Sequence, residues 1–477
     1  MSTPVMASPQ SDWLPKVEPG ISNLLVQQFN DVGNAQRLIA TKGPDLLYCA
    51  EFRKWLVWDG RRYLLDKADR ARLFAQETAL EFNRQAFAAH DDAAQKFARQ
   101  SLDSKRLTAM MREAEPHRCV IAEQLDSDPW MLNLTNCTLD LRTGAVRPHD
   151  RQDLITKIVN FDYDAKAECP LFTRFVLRIM GADPGATQAK RERAERMVQY
   201  LQKVFGYALT GITSEKVVFL AHGGGNNGKT TLLALFLRLL AEYSRLLQID
   251  TLMVRQESNN TQADLADLRG TRFAMTSETD EGQRLAEGKI KRITQGMGKI
   301  KATRKYENPI EFPETHKLFL DCNHKPQIRG NDQAIWNRLH LIPFSEIIPD
   351  EEIDRSLPEK LNAEAEGIIA WAVQGTLRWQ REGLGKPEEV AAASGEWRAE
   401  MDQVGRFIAE ACANVTTVRT PARALYTAYK GWAQEAGDAY VTERQFSDRM
   451  AGRGVAKGAN NRGSYYEGLG LRAEVEN

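Results

Sequence analysis

Apolar and polar positions recur along this chain with two different periods, and the switches between them mark out its elements. Lys54–Tyr63 (KWLVWDGRRY) has the pattern of a β-hairpin turning at Asp59-Gly60. Arg70–Phe87 and Asp91–Ala114 carry the helical period and predict two amphipathic helices. Leu132–Arg147 (LNLTNCTLDLRTGAVR) alternates as strands do, with a turn at Thr143-Gly144. Further on, apolar runs of strand length stand out at Val217–Ala221, Arg272–Glu278 (RFAMTSE), Lys317–Asn323 (KLFLDCN) and the end of Ala334–Phe344 (AIWNRLHLIPF). Leu232–Leu240 is apolar and helix-prone. Helical, Glu- and Ala-rich sequence follows to about residue 400. Arg423–Gln434 and Glu443–Arg453 then predict helices before SYYEGLGL, a candidate wing.

Length and charge sharpen this outline. A chain of 477 residues predicts about three domains. The patterns divide it into a loose arm (1–20), a mixed α/β domain (21–165), a region holding nearly all the chemistry (166–345), a helical segment (346–400) and a small, mildly basic end (401–477). Lys+Arg and Asp+Glu are both 64, so any nucleic-acid footprint must be a local patch. The six cysteines lie far apart with no C-x-x-C pair, which predicts free thiols rather than a zinc site. The first twenty residues lack the basic and apolar regions of a signal peptide, and no apolar run is long enough for a bilayer. The expectation is a soluble, cytoplasmic protein with no membrane partner.

The strongest chemical signal is Lys216–Leu233, KVVFLAHGGGNNGKTTLL. Within it Gly223, Gly224, Gly225, Asn226, Asn227, Gly228, Lys229 and Thr230 fit G-x-x-x-x-G-K-[ST], between a predicted strand and a predicted helix. Glycines let backbone N–H groups turn onto phosphate oxygens, and the helix N-terminus adds partial positive charge. Lys229 is expected to reach the β/γ-phosphates and Thr230 to ligate Mg²⁺, with Thr231 completing the ATP-binding loop. Downstream, Glu278 ends a core strand and is the candidate carboxylate for metal and water, with Asp280 and Glu281 as neighbouring alternatives. Asn323 tips the next apolar strand, where a polar group can hydrogen-bond the γ-phosphate or the attacking water. Arg338 precedes another apolar strand. An arginine reaching across a subunit boundary can neutralise transition-state charge.

Between Lys289 and Lys305 lie seven basic residues and no acid: Lys289, Lys291, Arg292, Lys299, Lys301, Arg304 and Lys305. Gly296 and Gly298 break the stretch and Ile300 alternates with lysines, which suits a hairpin presenting charge to a DNA backbone.

In this order and spacing, GGGNNGKTT, SETDEG, KRITQG, KLFLDCNHKP and WNRLHLIPF resemble the superfamily 3 helicase domain. More closely, they resemble the phage and plasmid primase-helicases related to the poxvirus primase-helicase. NDVGNAQRL, WLVWDGRRY and LNLTNCTLDLRTGAVRPH are similar to that family's N-terminal domain, and ALYTAYKGWAQEAG and RQFSDRMAGRG to its C-terminal winged helix. The resemblance implies an AAA+-type P-loop core with a parallel sheet, preceded by a mixed α/β domain and followed by helical and winged-helix segments. It implies ATP and Mg²⁺ as cofactors and a hexameric ring moving 3′→5′ on single-stranded or forked DNA. It also implies a bacterial host cytosol, replication of a phage or plasmid, and a primase or origin-binding protein as partner. By position it makes Lys229 and Thr230 the phosphate and metal residues, Glu278 the acid, Asn323 the sensor and Arg338 the finger on a neighbour's ATP. The basic stretch takes the place of the pore hairpin. Two departures stand out: Thr279 follows Glu278 where many members have a second acid, and Gln295-Gly296-Met297-Gly298 lacks an aspartate that relatives often carry.

Two other functions compete. Priming needs its own nucleotidyl-transfer site, and residues 1–165 show no D-x-D pair with supporting basic residues in strand context, so priming is expected on another chain. An initiator that uses ATP only as an assembly switch would share the phosphate loop without unwinding DNA.

Overall fold

Five strands form a wholly parallel sheet in the order Leu339–Pro343, Val218–His222, Lys317–Cys322, Phe273–Thr276, Ser244–Leu247. The computed structural model describes residues 23–254, 265–276, 282–296, 298–303, 309–328, 332–436, 440–461 and 463–472. The three central strands, Val218–His222, Lys317–Cys322 and Phe273–Thr276, are buried on both sides and read as near-continuous apolar runs, whereas the edge strand Ser244–Leu247 exposes Arg245 and Leu246. Phe219, Ala221, Phe273, Met275, Phe319 and Ile342 point to one face and pack on helices Pro170–Ile179, Gln188–Leu209, Lys229–Leu239 and Ala365–Glu382. There Phe205 stacks on Phe236 at 3.6 Å between ring centroids, and Phe273 on Phe319 at 4.3 Å. Val218, Leu220, Ala274, Leu318, Leu320, Leu339 and Leu341 point to the other face, against Ile290, Ile293, Trp336 and Trp397.

Two cations are buried where neighbouring strands begin. Arg272 donates to the carbonyls of Leu209 and Met131 (both 2.6 Å), and Lys317 to those of Thr210, Ile212 and Thr315. Leu209 and Thr210 end the long helix Gln188–Leu209, so both cations meet its unpaired C-terminal carbonyls and its negative dipole end.

Ahead of this sheet, Tyr63–Leu65, Lys54–Trp58 and Leu46–Cys49 are antiparallel, and Cys119–Val120 lies parallel to Leu46–Cys49. The expected hairpin is present with a longer turn. Trp58 pairs with Tyr63, and Asp59 Oδ1 accepts the backbone N–H groups of Arg61 and Arg62, so the loop has four residues rather than two. Arg70–Ala88 is helical as expected. The single helix expected over Asp91–Ala114 is instead two, Asp92–Ser101 and Ser104–Ala114. The turn-favouring Ser101-Leu102-Asp103-Ser104 breaks it: Asp103 is extended, and the Ser101 hydroxyl bonds back to Phe97 O. The strands expected in Leu132–Arg147 are Met131–Asn133, Thr138–Asp140 and Ala145–Arg147, with Gly144 at φ +78° in the last turn.

After the parallel sheet come helices Leu357–Ala363, Ala365–Glu382 and Glu388–Met401. The chain ends on helix Gln403–Ala411, strand Cys412–Pro421, helices Ala422–Glu435 and Glu443–Ala451, and the hairpin Lys457–Asn460 with Gly463–Leu471. None of the six cysteines forms a disulfide. Among the described residues no helix is long and apolar enough to cross a membrane.

Candidate nucleotide-binding site

The strand Val218–His222 sits at the point where strand order reverses, and the glycine loop leaves its C-terminal end. Crevices at such reversals are where open α/β sheets bind ligands. The loop is pinned at its start. Gly223 N–H donates to Cys322 O at 3.2 Å, and Phe344 N–H to His222 O at 2.7 Å. A Cβ on Gly223 would lie 2.2 Å from Phe344 O, and one on Gly228, itself at φ +76°, 2.5 Å from Ile179 Cγ2. Both positions therefore require glycine. Gly224 and Gly225 have nothing near a Cβ position and are exposed, so their backbone borders open space. Asn227 braces the turn: its amide donates to Gly224 O and Phe344 O, and its Oδ1 accepts from Lys229 N. Asn226, at φ +56°, gives its carbonyl to Ile348 N at 2.6 Å.

Helix Lys229–Leu239 starts on this loop. Lys229 is buried. Its Nζ lies 2.8 Å from Asp321 Oδ1 and donates to Asn323 Oδ1 at 2.6 Å. The next side chain, the exposed Thr230, donates its hydroxyl proton to Asp321 Oδ2 at 2.8 Å. The structure thus brings together the expected Lys229, Thr230 and Asn323 and adds Asp321, which sequence reasoning missed. Asp321 was hidden inside an apolar run read as core strand. The available signal was that an acid in a central strand must be paired to be tolerated there.

Other expected residues fall elsewhere. Glu278, Asp280 and Glu281 lie outside the described residues; the described strand before them is Phe273–Thr276. Arg338 is remote from the loop of its own chain. Its carbonyl accepts from Val218 N at 2.7 Å, at the other end of the strand, four residue steps or about 13 Å from His222. Its Nη1 donates to Ala334 O at 2.6 Å, and its buried Nε has no hydrogen-bond partner among the described residues.

The basic stretch contains the expected hairpin. Lys299–Ala302 pairs antiparallel with Ile310–Pro313, Ile300 and Ala302 turn inward, and Lys299 and Lys301 are exposed. Lys299 pairs with Glu123 at 2.9 Å, while Lys291 lies on the separate helix Glu287–Ile293 and pairs with Asp332. Arg304 and Lys305 lie outside the described residues. At the hairpin base, Glu314 accepts the backbone N–H groups of Gln295 (3.1 Å) and Gly296 (3.2 Å). Burial pushes its carboxyl up to about 7, against the opposing pull of those N–H groups and of the Lys317 and Arg338 charges.

Residues 35–181 match the D5 N terminal like family, and residues 221–338 match a family of unknown function, DUF5906. In two separate segments the chain is thus similar to these two families. Among its relatives is the candidate helicase L207/L206 of Acanthamoeba polyphaga mimivirus, 26% identical over 60% of this chain and 31% of the relative. The candidate helicase 022R of Frog virus 3 is 27% identical over 46% of this chain and 25% of the relative. The chain thus spans about a third or less of the length of these two relatives. Among solved structures, the apo C-terminal region of NrS-1 is similar at 11% identity and a TM-score of 0.49, over 92% of this chain and all of that one.

Proposed function

We propose that this protein is a member of the D5-like primase-helicases and an ATP-hydrolysing motor of the superfamily 3 helicase type, with an AAA+-type core, working as a ring on single-stranded DNA. The observation that carries this reading is the convergence of Lys229, Thr230, Asp321 and Asn323 under a glycine loop at the reversal point of a five-stranded parallel sheet. The names of the viral relatives agree with it.

Each residue has a physical task in that reading. The open backbone at Gly224 and Gly225 and the start of helix Lys229–Leu239 offer N–H groups and a positive dipole end to the phosphates. Lys229 exchanges Asp321 and Asn323 for phosphate oxygens, which frees the Asn323 amide to hold the γ-phosphate or the attacking water. Thr230 fits a metal site, because its only proton is given to Asp321 and its oxygen lone pairs remain available beside the loop. Mg²⁺ bound there would neutralise charge on the phosphate oxygens. Glu278 orients the water. Arg338 acts on the nucleotide of a neighbouring subunit, since its own loop lies at the far end of the strand. Lys299 and Lys301, with Arg304 and Lys305 beyond them in sequence, face DNA phosphates, and the terminal helices and hairpin form a winged helix for duplex DNA or a protein partner.

Strand displacement on forked DNA tests this reading. ATP-dependent release of the complementary strand from substrates with a 3′ tail is expected. ATP hydrolysis without displacement would instead support the assembly-switch function.

A further inference from the structure

The buried carboxylate of Asp321 has no place in the tasks above, although it touches both chemical side chains of the loop. It is 1% exposed, in the central strand of the sheet, with Leu320 and Cys322 as its buried chain neighbours. An ionised carboxylate in such surroundings is costly unless its oxygens are engaged. Here Oδ1 faces Lys229 Nζ and Oδ2 accepts the Thr230 proton, each at 2.8 Å. Lys229 and Thr230 are consecutive residues in the first helical turn, so one carboxylate is ion-paired with the candidate phosphate-binding cation and hydrogen-bonded by the candidate metal ligand.

The charge balance gives this arrangement a consequence. The Lys229 charge is matched by Asp321, 2.8 Å away. A polyphosphate arriving alone must compete with that carboxylate for the ammonium and then sit close to its uncompensated negative charge. A divalent cation held beside Thr230 removes both obstacles. It would supply the missing positive charge beside the Asp321 oxygen that Lys229 has left. Throughout, the bond from Thr230 to Oδ2 keeps the threonine oxygen turned for the metal.

We propose that Asp321, on the sensor strand, is the positioning residue that makes nucleotide binding depend on a divalent metal: it latches Lys229 when the site is empty and orients Thr230 toward the metal when it fills. This rests on the nucleotide-binding reading above. It leaves Glu278 with the water and takes the metal-organising task away from it.

The test is equilibrium binding of a fluorescent, non-hydrolysable ATP analogue to the full chain, with Mg²⁺ and in EDTA, each variant checked first by its melting curve. The wild-type protein is expected to bind far more tightly with Mg²⁺. Asp321→Asn keeps the side-chain shape and removes the competing charge. It should bind the analogue in EDTA roughly tenfold more tightly than wild type, the scale of one charge-assisted hydrogen bond, and lose most of the gain from Mg²⁺. Thr230→Val keeps the latch and removes the metal ligand, so it should lose the Mg²⁺ gain with no tightening in EDTA. That second variant keeps the test decisive if Asp321→Asn melts early: tightening in EDTA by Thr230→Val would overturn the latch. Asp321→Asn with a wild-type response to Mg²⁺, or loss of that response in Glu278→Gln instead, would overturn the assignment while leaving the nucleotide site intact. Failure of the wild-type chain to bind the analogue under either condition would overturn the nucleotide reading itself, and this inference with it.

Discussion

The backbone carbonyl of Arg338 accepts a hydrogen bond from Val218 N–H at 2.7 Å, so the arginine stands at one end of the phosphate-loop strand and the loop leaves from the other. On the proposed ring reading, a side chain anchored there serves the nucleotide of a neighbouring subunit rather than its own. Arg338→Ala should bind ATP nearly normally and hydrolyse it about 10³-fold more slowly, the low end of what an arginine finger supplies. Mixed with Lys229→Ala subunits it should regain part of the hydrolysis, because some interfaces then join an intact Arg338 to an intact Lys229. The measurement is ATPase rate against mixing ratio, with subunit exchange verified separately. Mixed rings that stay inactive would rule out action across the interface.

Lys229 also carries structural weight. Removing it leaves the Asp321 carboxylate buried with Thr230 as its remaining bonded side chain. Lys229→Ala should therefore cost on the order of 3 kcal/mol of stability. Adding Asp321→Asn to the same chain should recover part of that cost, since the stranded charge is gone. Chemical denaturation of the two singles and the double measures this coupling. Strictly additive effects would mean the two groups do not interact in solution.

The hairpin lysines are not equivalent. Lys301 is exposed, whereas Lys299 is paired with Glu123. Lys301→Ala should lower the salt slope of single-stranded DNA binding by about 0.7, one phosphate's share, and weaken binding alike on all sequences. Lys299→Ala should have a smaller effect, and Glu123→Ala should strengthen binding by releasing Lys299. A slope unchanged by Lys301→Ala would place the hairpin away from DNA.

Glu314 predicts a pH signature. Its carboxyl is raised from an ordinary 4.5 to about 7, chiefly by burial. A raised acid favours the folded state fully below pH 4.5 and loses that contribution as pH climbs through about 7. Glu314→Gln retains an oxygen for the Gln295 and Gly296 N–H groups and removes the titration. Relative to wild type it should gain on the order of 2–3 kcal/mol between pH 5 and pH 8. The buried His316 and His340, both lowered to about 3 by burial, have the opposite slope but are common to both proteins and cancel in the difference. A stability difference that does not change with pH would mean Glu314 is ionised throughout.

Much of the site is contiguous in sequence and was legible for that reason. Gly223–Thr230 carries its strand, turn and helix within one short segment, and Asn323 and the Lys299–Ala302 hairpin follow from local pattern. What was not legible depends on contacts between distant segments. Asp321 reads as an interruption of an apolar strand until the sheet order sets Lys317–Cys322 beside Val218–His222. Arg272 and Lys317 open segments read only as apolar strands, and nothing local shows that both are buried on the end of Gln188–Leu209, far away in sequence. The break at Leu102-Asp103 was outweighed by a helical period that continues on either side of it. Glu278 rests on its position after the Phe273–Thr276 strand and on the family resemblance.

The central claim is that the loop ending in Lys229 drives ATP hydrolysis coupled to DNA. The most direct measurement is the steady-state rate of phosphate release by the wild-type chain and by Lys229→Ala, with and without single-stranded DNA, at a temperature where both are folded. The account predicts hydrolysis by the wild type that rises when DNA is added, and no hydrolysis above background by the variant under either condition. Equal rates in the two proteins would contradict it, as would a wild-type rate indifferent to DNA.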